Sequence, residues 1–137
     1  MSAQDPPEEA AVREAIAAWR QGHGELSGHI AALGTALDAR DGERAREIFS
    51  HLRSMILEHL EVEEELAFPL VEKLVAEGAG PVRSLRLAHT SYRRDLSQIA
   101  LHLMSDHFDA AQALFSAFVD SFETHERLED RLLEMLG

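Results

Sequence analysis

The fold is predicted from the stretch Glu58-His59-Leu60-Glu61-Val62-Glu63-Glu64-Glu65. Residues four apart lie about 40° apart around an α-helix, so His59 and Glu63 point in the same direction. Apolar residues on the same side of the helical wheel are Ile48, Leu52, Met55, Leu66 and Leu70. A carboxylate among apolar side chains is costly unless it is paired or bound to a metal. The stretch therefore predicts a polar site inside a helical core.

Long amphipathic segments flank this stretch on both sides. Apolar residues recur at helical spacing over about Glu8 to Ala39, Glu43 to Ala76, Pro81 to Met104 and His107 to Leu136. Turn or cap signals between them are Asp41-Gly42, Glu77-Gly78-Ala79-Gly80-Pro81 and Ser105-Asp106. Pro69 predicts a kink inside the second segment. The fold predicted is all-α, an up-down-up-down antiparallel four-helix bundle. Residues 1–7 are predicted as a disordered tail and 8–137 as a single domain.

Composition narrows the classes of partner. The 137 residues carry a net charge of −12, which disfavours nucleic acid and anionic membrane surfaces as partners. There is no cysteine, so disulfides, thiolate ligands and iron–sulfur clusters are excluded. No apolar run reaches transmembrane length, and the acidic start does not resemble a signal peptide, so the expected location is cytoplasmic.

The distribution of histidines points to a metal site. The apolar stripe of each predicted helix carries one histidine, and these are His23, His59, His89 and His125. Glu63 and Glu129 lie one helical turn beyond two of them. A single inward histidine is usually a hydrogen-bonded core residue. A metal-free core, however, would have to satisfy all of these buried polar groups. Imidazole with carboxylate suits iron or manganese, and facing helices can share carboxylates between two ions.

The spacing of the motifs separates classes of metal-binding bundle. No Glu lies three residues before any His, so the Glu-x-x-His signature of ferritin-like proteins is absent, as is the His-Glu-x-x-His of zinc proteases. The pattern present is His-x-x-x-Glu, at His59/Glu63 and His125/Glu129. With the segment His59-Leu-Glu-Val-Glu-Glu-Glu-Leu-Ala-Phe-Pro69, this order resembles the hemerythrin and hemerythrin-like (HHE cation-binding) family over about residues 15 to 136.

The resemblance implies a non-haem di-iron site with an oxo or hydroxo bridge, although manganese or zinc also suits the ligands. It implies that His23 and His59 bind one iron and that His89 and His125 bind the other. Glu63 and a carboxylate of the last helix would bridge the two ions. Glu129 is the expected bridge because it lies about 40° from His125, and a distorted helix would select Asp130 instead.

The third helix carries one departure from oxygen-carrying hemerythrins. Arg93 stands where those proteins have a further histidine ligand, and Tyr92 lies beside it. Arg93 is expected to pair with a carboxylate at or near the site. The function expected is binding or sensing of O₂, or reaction with peroxide or nitric oxide. The alternatives are an iron-binding or iron-sensing module and a metal-free interaction bundle. The sequence leaves open the small ligand, enzymatic activity and oligomeric state.

Overall fold

The structure, a computed structural model, describes residues 6–136, without the side chains of residues 6–8 and 15. Its helices are α1 (Pro6–Asp38), α2 (Gly42–Val62), α3 (Phe68–Leu74), α4 (Ala79–Met104) and α5 (Phe108–Glu134). A π-helical segment, Glu63–Ala67, joins α2 to α3 and is called the π turn below. Residues 1–5 of the predicted tail lie outside the described residues. Helix α1 begins at Pro6.

The helices form a four-membered bundle. The second member consists of α2, the π turn and α3 in succession. Helix α1 packs against α2 and α5, and α4 also packs against α2 and α5. Short connections make successive helices antiparallel neighbours. The predicted all-α four-helix bundle is confirmed.

Two of the predicted connections are also confirmed. The side chain of Asp41 accepts a hydrogen bond from the backbone N–H of Arg44 at 3.2 Å, and so caps α2. The predicted glycine-rich break coincides with the connection from the end of α3 at Leu74 to the start of α4 at Ala79. Helix α4 begins earlier than predicted, so Gly80 and Pro81 both lie in its first turn. These local signals fix where the chain reverses.

The prediction that Ser105-Asp106 caps the last helix is wrong. His107 occupies the N-cap position of α5 and makes no capping bond through its side chain. Asp106 adopts a left-handed backbone conformation, with φ of 58°. Its carboxylate accepts a hydrogen bond from Arg46 at 2.7 Å. The acid therefore ties the turn to α2 instead of capping α5.

An irregular segment does occur in the second member of the bundle, but it begins before the proline. The backbone N–H of Phe68 bonds to the carbonyl of Glu63, five residues back, as in a π-helix. Pro69 follows at once and has no N–H to continue the pattern. The irregularity therefore lies at Glu63 itself, in the stretch that carries the site.

Two apolar clusters divide the interior of the bundle. The larger cluster includes Leu33, Leu52, Leu96 and Phe118. The smaller cluster consists largely of Trp19, Phe68, Val71, Val82, Leu85 and Leu132. The buried polar residues described next belong to neither cluster. Among the described helices, none combines the length and apolar character needed to cross a membrane.

Candidate metal centre

Five polar residues are buried among the described residues, each at most 7% exposed. They are His59, Glu63, His89, Glu126 and Glu129. Three of them are carboxylates, which ordinarily stay at the surface unless they are paired or coordinate a metal. The prediction that the stripe residues His59 and Glu63 face the core is confirmed.

Glu63 lies between the two buried histidines. Its Oε1 is 2.5 Å from Nε2 of His59, and its Oε2 is 3.3 Å from Nε2 of His89. Neither carboxylate oxygen makes a hydrogen bond of good geometry within residues 6–136. Two atoms that bind the same cation at right angles, each about 2.1 Å from it, are about 3 Å apart. The distances from the two Glu63 oxygens to the imidazole nitrogens are close to this separation. A carboxylate with one oxygen towards each imidazole therefore has the arrangement of a bridging ligand.

The ligand atoms fall into two groups that share one residue. One nitrogen or oxygen from each of His59, Glu63 and Glu126 lies within 4.8 Å of the others, and the same holds for Glu63, His89 and Glu129. Each group combines imidazole nitrogen with carboxylate oxygen, the donor types that iron, manganese and zinc accept. Glu63 belongs to both groups. The residues present therefore fit a pair of cations.

The two carboxylates from α5 have opposite electrostatic environments. Burial disfavours the charged form of Glu126, but hydrogen bonds from His23 and His59 outweigh burial and hold its pKa at about 2. Burial raises the pKa of Glu129 well above its usual value, and the nearby carboxylate of Glu63 adds to this effect. Both oxygens of Glu129 lack hydrogen-bond partners among the described residues. A buried carboxyl without a partner is what a cation would satisfy.

His59 compensates part of this negative charge. Burial lowers the pKa of His59, but the hydrogen bond with Glu126 and the close contact with the Glu63 carboxylate outweigh burial and raise that pKa to about 10. Nε2 of His59 lies 3.2 Å from Oε2 of Glu126. A single nitrogen of the ring, Nε2, therefore faces both carboxylates. A cation in the first group would bind the same nitrogen.

The family comparison agrees with this donor set. The family model of the hemerythrin HHE cation binding domain matches residues 14–136. The chain belongs to this family. Searches of curated proteins and of solved structures found no match to the chain.

The four predicted histidines of this HHE domain have different environments. His59 and His89 are buried in the two groups. His23 has a side chain that is 42% exposed, stacks on Trp19, and places Nδ1 3.4 Å from Oε2 of Glu126. His125 is half-buried and belongs to neither group. Its Nδ1 donates to the backbone carbonyl of Ser121 at 2.8 Å.

Glu126 is the residue that the sequence analysis missed. The stripe expected for the last helix, which carries His125, also includes Leu114, Phe118, Phe122 and Leu128. Phe118, Phe122 and the predicted Glu129 are buried on α5, but Phe115 and Glu126 are buried where Leu114 and His125 were expected. The inward face is therefore rotated towards the following residues. Phe115, with Phe118 and Phe122, was the available signal, because these large apolar side chains mark the face that carries Glu126. Asp130, the alternative bridge, is half-buried and belongs to neither group of described ligands.

Tyr92 and Arg93 have different partners in the HHE domain. Tyr92 is buried, with its ring centroid 6.0 Å from that of His89 and 5.7 Å from that of His125, and its hydroxyl donates to the carbonyl of Ser121. Burial raises the pKa of Tyr92. Arg93 donates to both oxygens of Glu64, at 2.8 and 3.1 Å, so its predicted pairing with a carboxylate is confirmed.

Glu64, the residue after Glu63, is partly buried beside His89. Its side chain is 26% exposed, and its Oε2 lies 2.8 Å from Nδ1 of His89. Burial opposes ionisation of Glu64, but the hydrogen bonds from His89 and Arg93 outweigh it and lower the pKa. The first two residues of the π turn thus both contact His89.

A cavity reaches the centre beside His59. It has a volume of about 210 Å³ and lies between α1 and α2. Its lining includes Gly22, Leu26, Met55, Glu58 and His59. Gly22 lies so close to His59 that an added Cβ would be 2.7 Å from Nδ1 of the imidazole. The missing side chain at Gly22 thus leaves room for the His59 ring against α1.

Proposed function

We propose that this HHE domain binds two cations in a non-haem centre bridged by Glu63. The observation that carries the proposal is the position of Glu63 in both groups of ligand atoms. His59 and Glu126 are the proposed partners of Glu63 at the first cation. His89 and Glu129 are the proposed partners at the second.

The outlying histidines complete the proposed ligand set. His23 joins the first cation, since its imidazole already lies beside Glu126. His125 is the further candidate at the second cation. Its Nδ1–H bond to Ser121 leaves Nε2 as the nitrogen with a free lone pair. Metal-ligating histidines commonly donate their other ring N–H to a carbonyl or carboxylate in this way.

Charge balance favours two ions over one. The three buried glutamates would together carry three negative charges when ionised. Two divalent cations bring four positive charges, so they allow all three glutamates to ionise in the core. One cation would leave part of the centre unsatisfied, most directly Glu129, whose carboxyl has no hydrogen-bond partner among the described residues.

Iron is the metal we propose, with manganese and zinc as metals that the same donor types accept. Iron supplies a redox-active centre that can bind O₂, peroxide or nitric oxide. The chain's own residues hold the ions through carboxylates and imidazoles, and the two apolar clusters keep bulk water away on either side. The cavity beside His59 is the proposed path for such a small ligand.

The proposed chemistry is tested by ligand binding to the iron-loaded protein. Azide added to the oxidised protein should produce new charge-transfer absorption that saturates with azide concentration, and O₂ should oxidise the reduced protein. The zinc-loaded protein is the control, because zinc occupies the same donors without redox chemistry. An iron-loaded spectrum unchanged by azide, peroxide, nitric oxide and O₂ would contradict the proposal and favour an iron-sensing module.

A further inference from the structure

His89 is held from both sides by consecutive glutamates. Its Nε2 lies 3.3 Å from Oε2 of Glu63, and its Nδ1 lies 2.8 Å from Oε2 of Glu64. Consecutive side chains on an α-helix point about 100° apart. Here they are the first two residues of the π turn, and such turns occur frequently at functional sites. The backbone irregularity thus coincides with the pair of contacts on one imidazole.

The hydrogen bonds identify which nitrogen of His89 carries the proton. Arg93 stays protonated in proteins, and its guanidinium donates to both oxygens of Glu64. A guanidinium has only donors, so both oxygens of Glu64 act as acceptors in these hydrogen bonds. Nδ1–H of His89 is therefore the donor to Glu64. In the neutral ring, Nε2 then carries a lone pair directed towards the Glu63 side.

We propose that Arg93 and Glu64 form a positioning pair that sets the tautomer and orientation of His89, so that its Nε2 is presented to the second cation. This inference rests on the proposed two-cation centre. The pair acts through His89 and does not itself contact the cation. Loss of partners of this kind typically weakens metal binding by about 10- to 100-fold.

The surroundings of His89 explain why packing alone does not fix its tautomer. The ring is flanked by Phe68, with centroids 5.1 Å apart, and by Tyr92. Aromatic neighbours restrict the plane of an imidazole but do not select the nitrogen that carries the proton. Within residues 6–136, Glu64 is the carboxylate on the Nδ1 side. Because the Arg93 side chain is 39% exposed, its ion pair contributes little to folding stability.

The test compares His89 in wild-type protein, Glu64→Ala, Glu64→Gln and Arg93→Leu. Glu65→Ala and Arg94→Leu are matched controls, because both side chains are exposed and lie next to the residues tested. The first measurement is the ¹⁵N NMR shifts of the His89 ring in metal-free protein. The second is the rate at which a chelator removes zinc from zinc-loaded protein, where zinc is a diamagnetic probe of the site.

Wild type and both controls should show the proton on Nδ1 of His89, and Glu64→Ala should lose this preference. Glu64→Gln should retain it, because the amide oxygen also accepts a hydrogen bond from Nδ1–H. Zinc should leave the second position about 10-fold faster or more in Glu64→Ala, with a smaller increase in Arg93→Leu. Melting temperatures of the metal-free variants should match those of the controls.

A proton on Nε2 and none on Nδ1 in wild type, or a Glu64→Ala variant identical to Glu65→Ala in both measurements, would overturn the positioning pair. The metal-free measurement separates this inference from the proposed function. A wild-type protein that binds no zinc but keeps the proton on Nδ1 would contradict the two-cation centre, and would still support the orientation of His89 by Glu64.

Discussion

Glu63 is the residue on which the proposed centre depends most, because its two oxygens face different histidines. Glu63→Ala removes the shared ligand, so we expect the iron content after loading to fall from two ions per chain to one or fewer. The helical circular dichroism should persist, because alanine favours helices and adds no polar group. Glu65→Ala, an exposed change in the same π turn, should keep two ions. An unchanged iron content in Glu63→Ala would exclude it as the bridge.

Glu126 and His125 are adjacent on α5 but differ in burial. We expect Glu126→Ala to weaken the affinity for the first cation by at least about 10-fold, because a direct ligand is removed. His125→Ala should have the smaller effect, since its ring belongs to neither group of described ligands. Competition titration with a chromogenic chelator measures both affinities. The reverse order would mean that α5 rotates when metal binds and brings His125 inwards.

The difference between Glu126 and His125 shows what a sequence pattern can resolve at this scale. Burial of His59, Glu63, His89 and Glu129 followed from helical periodicity and is confirmed. On α5, apolar residues occur on two overlapping stripes, one through Leu114 and the other through Phe115. These stripes differ by a single residue, about 100° of rotation. Contacts with the neighbouring helices decide between them, and the sequence of α5 alone does not.

At the scale of elements, the approach of α1 to α2 depends on Gly22. An added Cβ would lie 2.7 Å from Nδ1 of His59, too close for two unbonded atoms. We expect Gly22→Ala to displace the imidazole and to weaken metal binding at the first position by about 10-fold or more. Isothermal titration with zinc measures this affinity.

Gly24→Ala is the matched control for this change. It lies on the same helix, and an added Cβ there meets nothing within 4 Å. Alanine should stabilise α1 by about 0.5–1 kcal/mol, because it restricts the unfolded chain more than glycine does, and metal affinity should stay unchanged. Equal zinc affinities in Gly22→Ala, Gly24→Ala and wild type would mean that the His59 ring is not held against α1 as described.

Element boundaries and backbone irregularities differ in how far local sequence predicts them. Asp41 and the glycine-rich break before Pro81 act through their own backbone, so their effects were predictable. The π turn depends on tertiary interactions, because Glu63 and Glu64 reach partners on α4. Pro69 indicated that the helix would be disturbed, but no local pattern places the disturbance at Glu63. Asp106 was likewise drawn to Arg46 on α2 and away from capping.

At the scale of the whole molecule, four amphipathic segments with short connections were sufficient to predict the bundle. The same bundle buries three carboxylates. The apolar clusters on either side increase the free-energy cost of burying them in ionised form. Cations that bind the folded protein and not the unfolded chain therefore make its stability depend on metal occupancy. Removal of metal from the reduced protein by a chelator should lower the melting temperature by several degrees or more. Restoring iron should reverse the change, and an unchanged melt after verified removal would contradict the coupling.

The number of metal ions per chain tests the two-cation centre most directly. Elemental analysis with protein quantification should be made on freshly purified protein and again after anaerobic loading with ferrous iron and removal of excess. Two tightly bound ions per chain are predicted, because two ligand groups share Glu63. A loaded protein that holds one ion per chain, or none, would contradict the account.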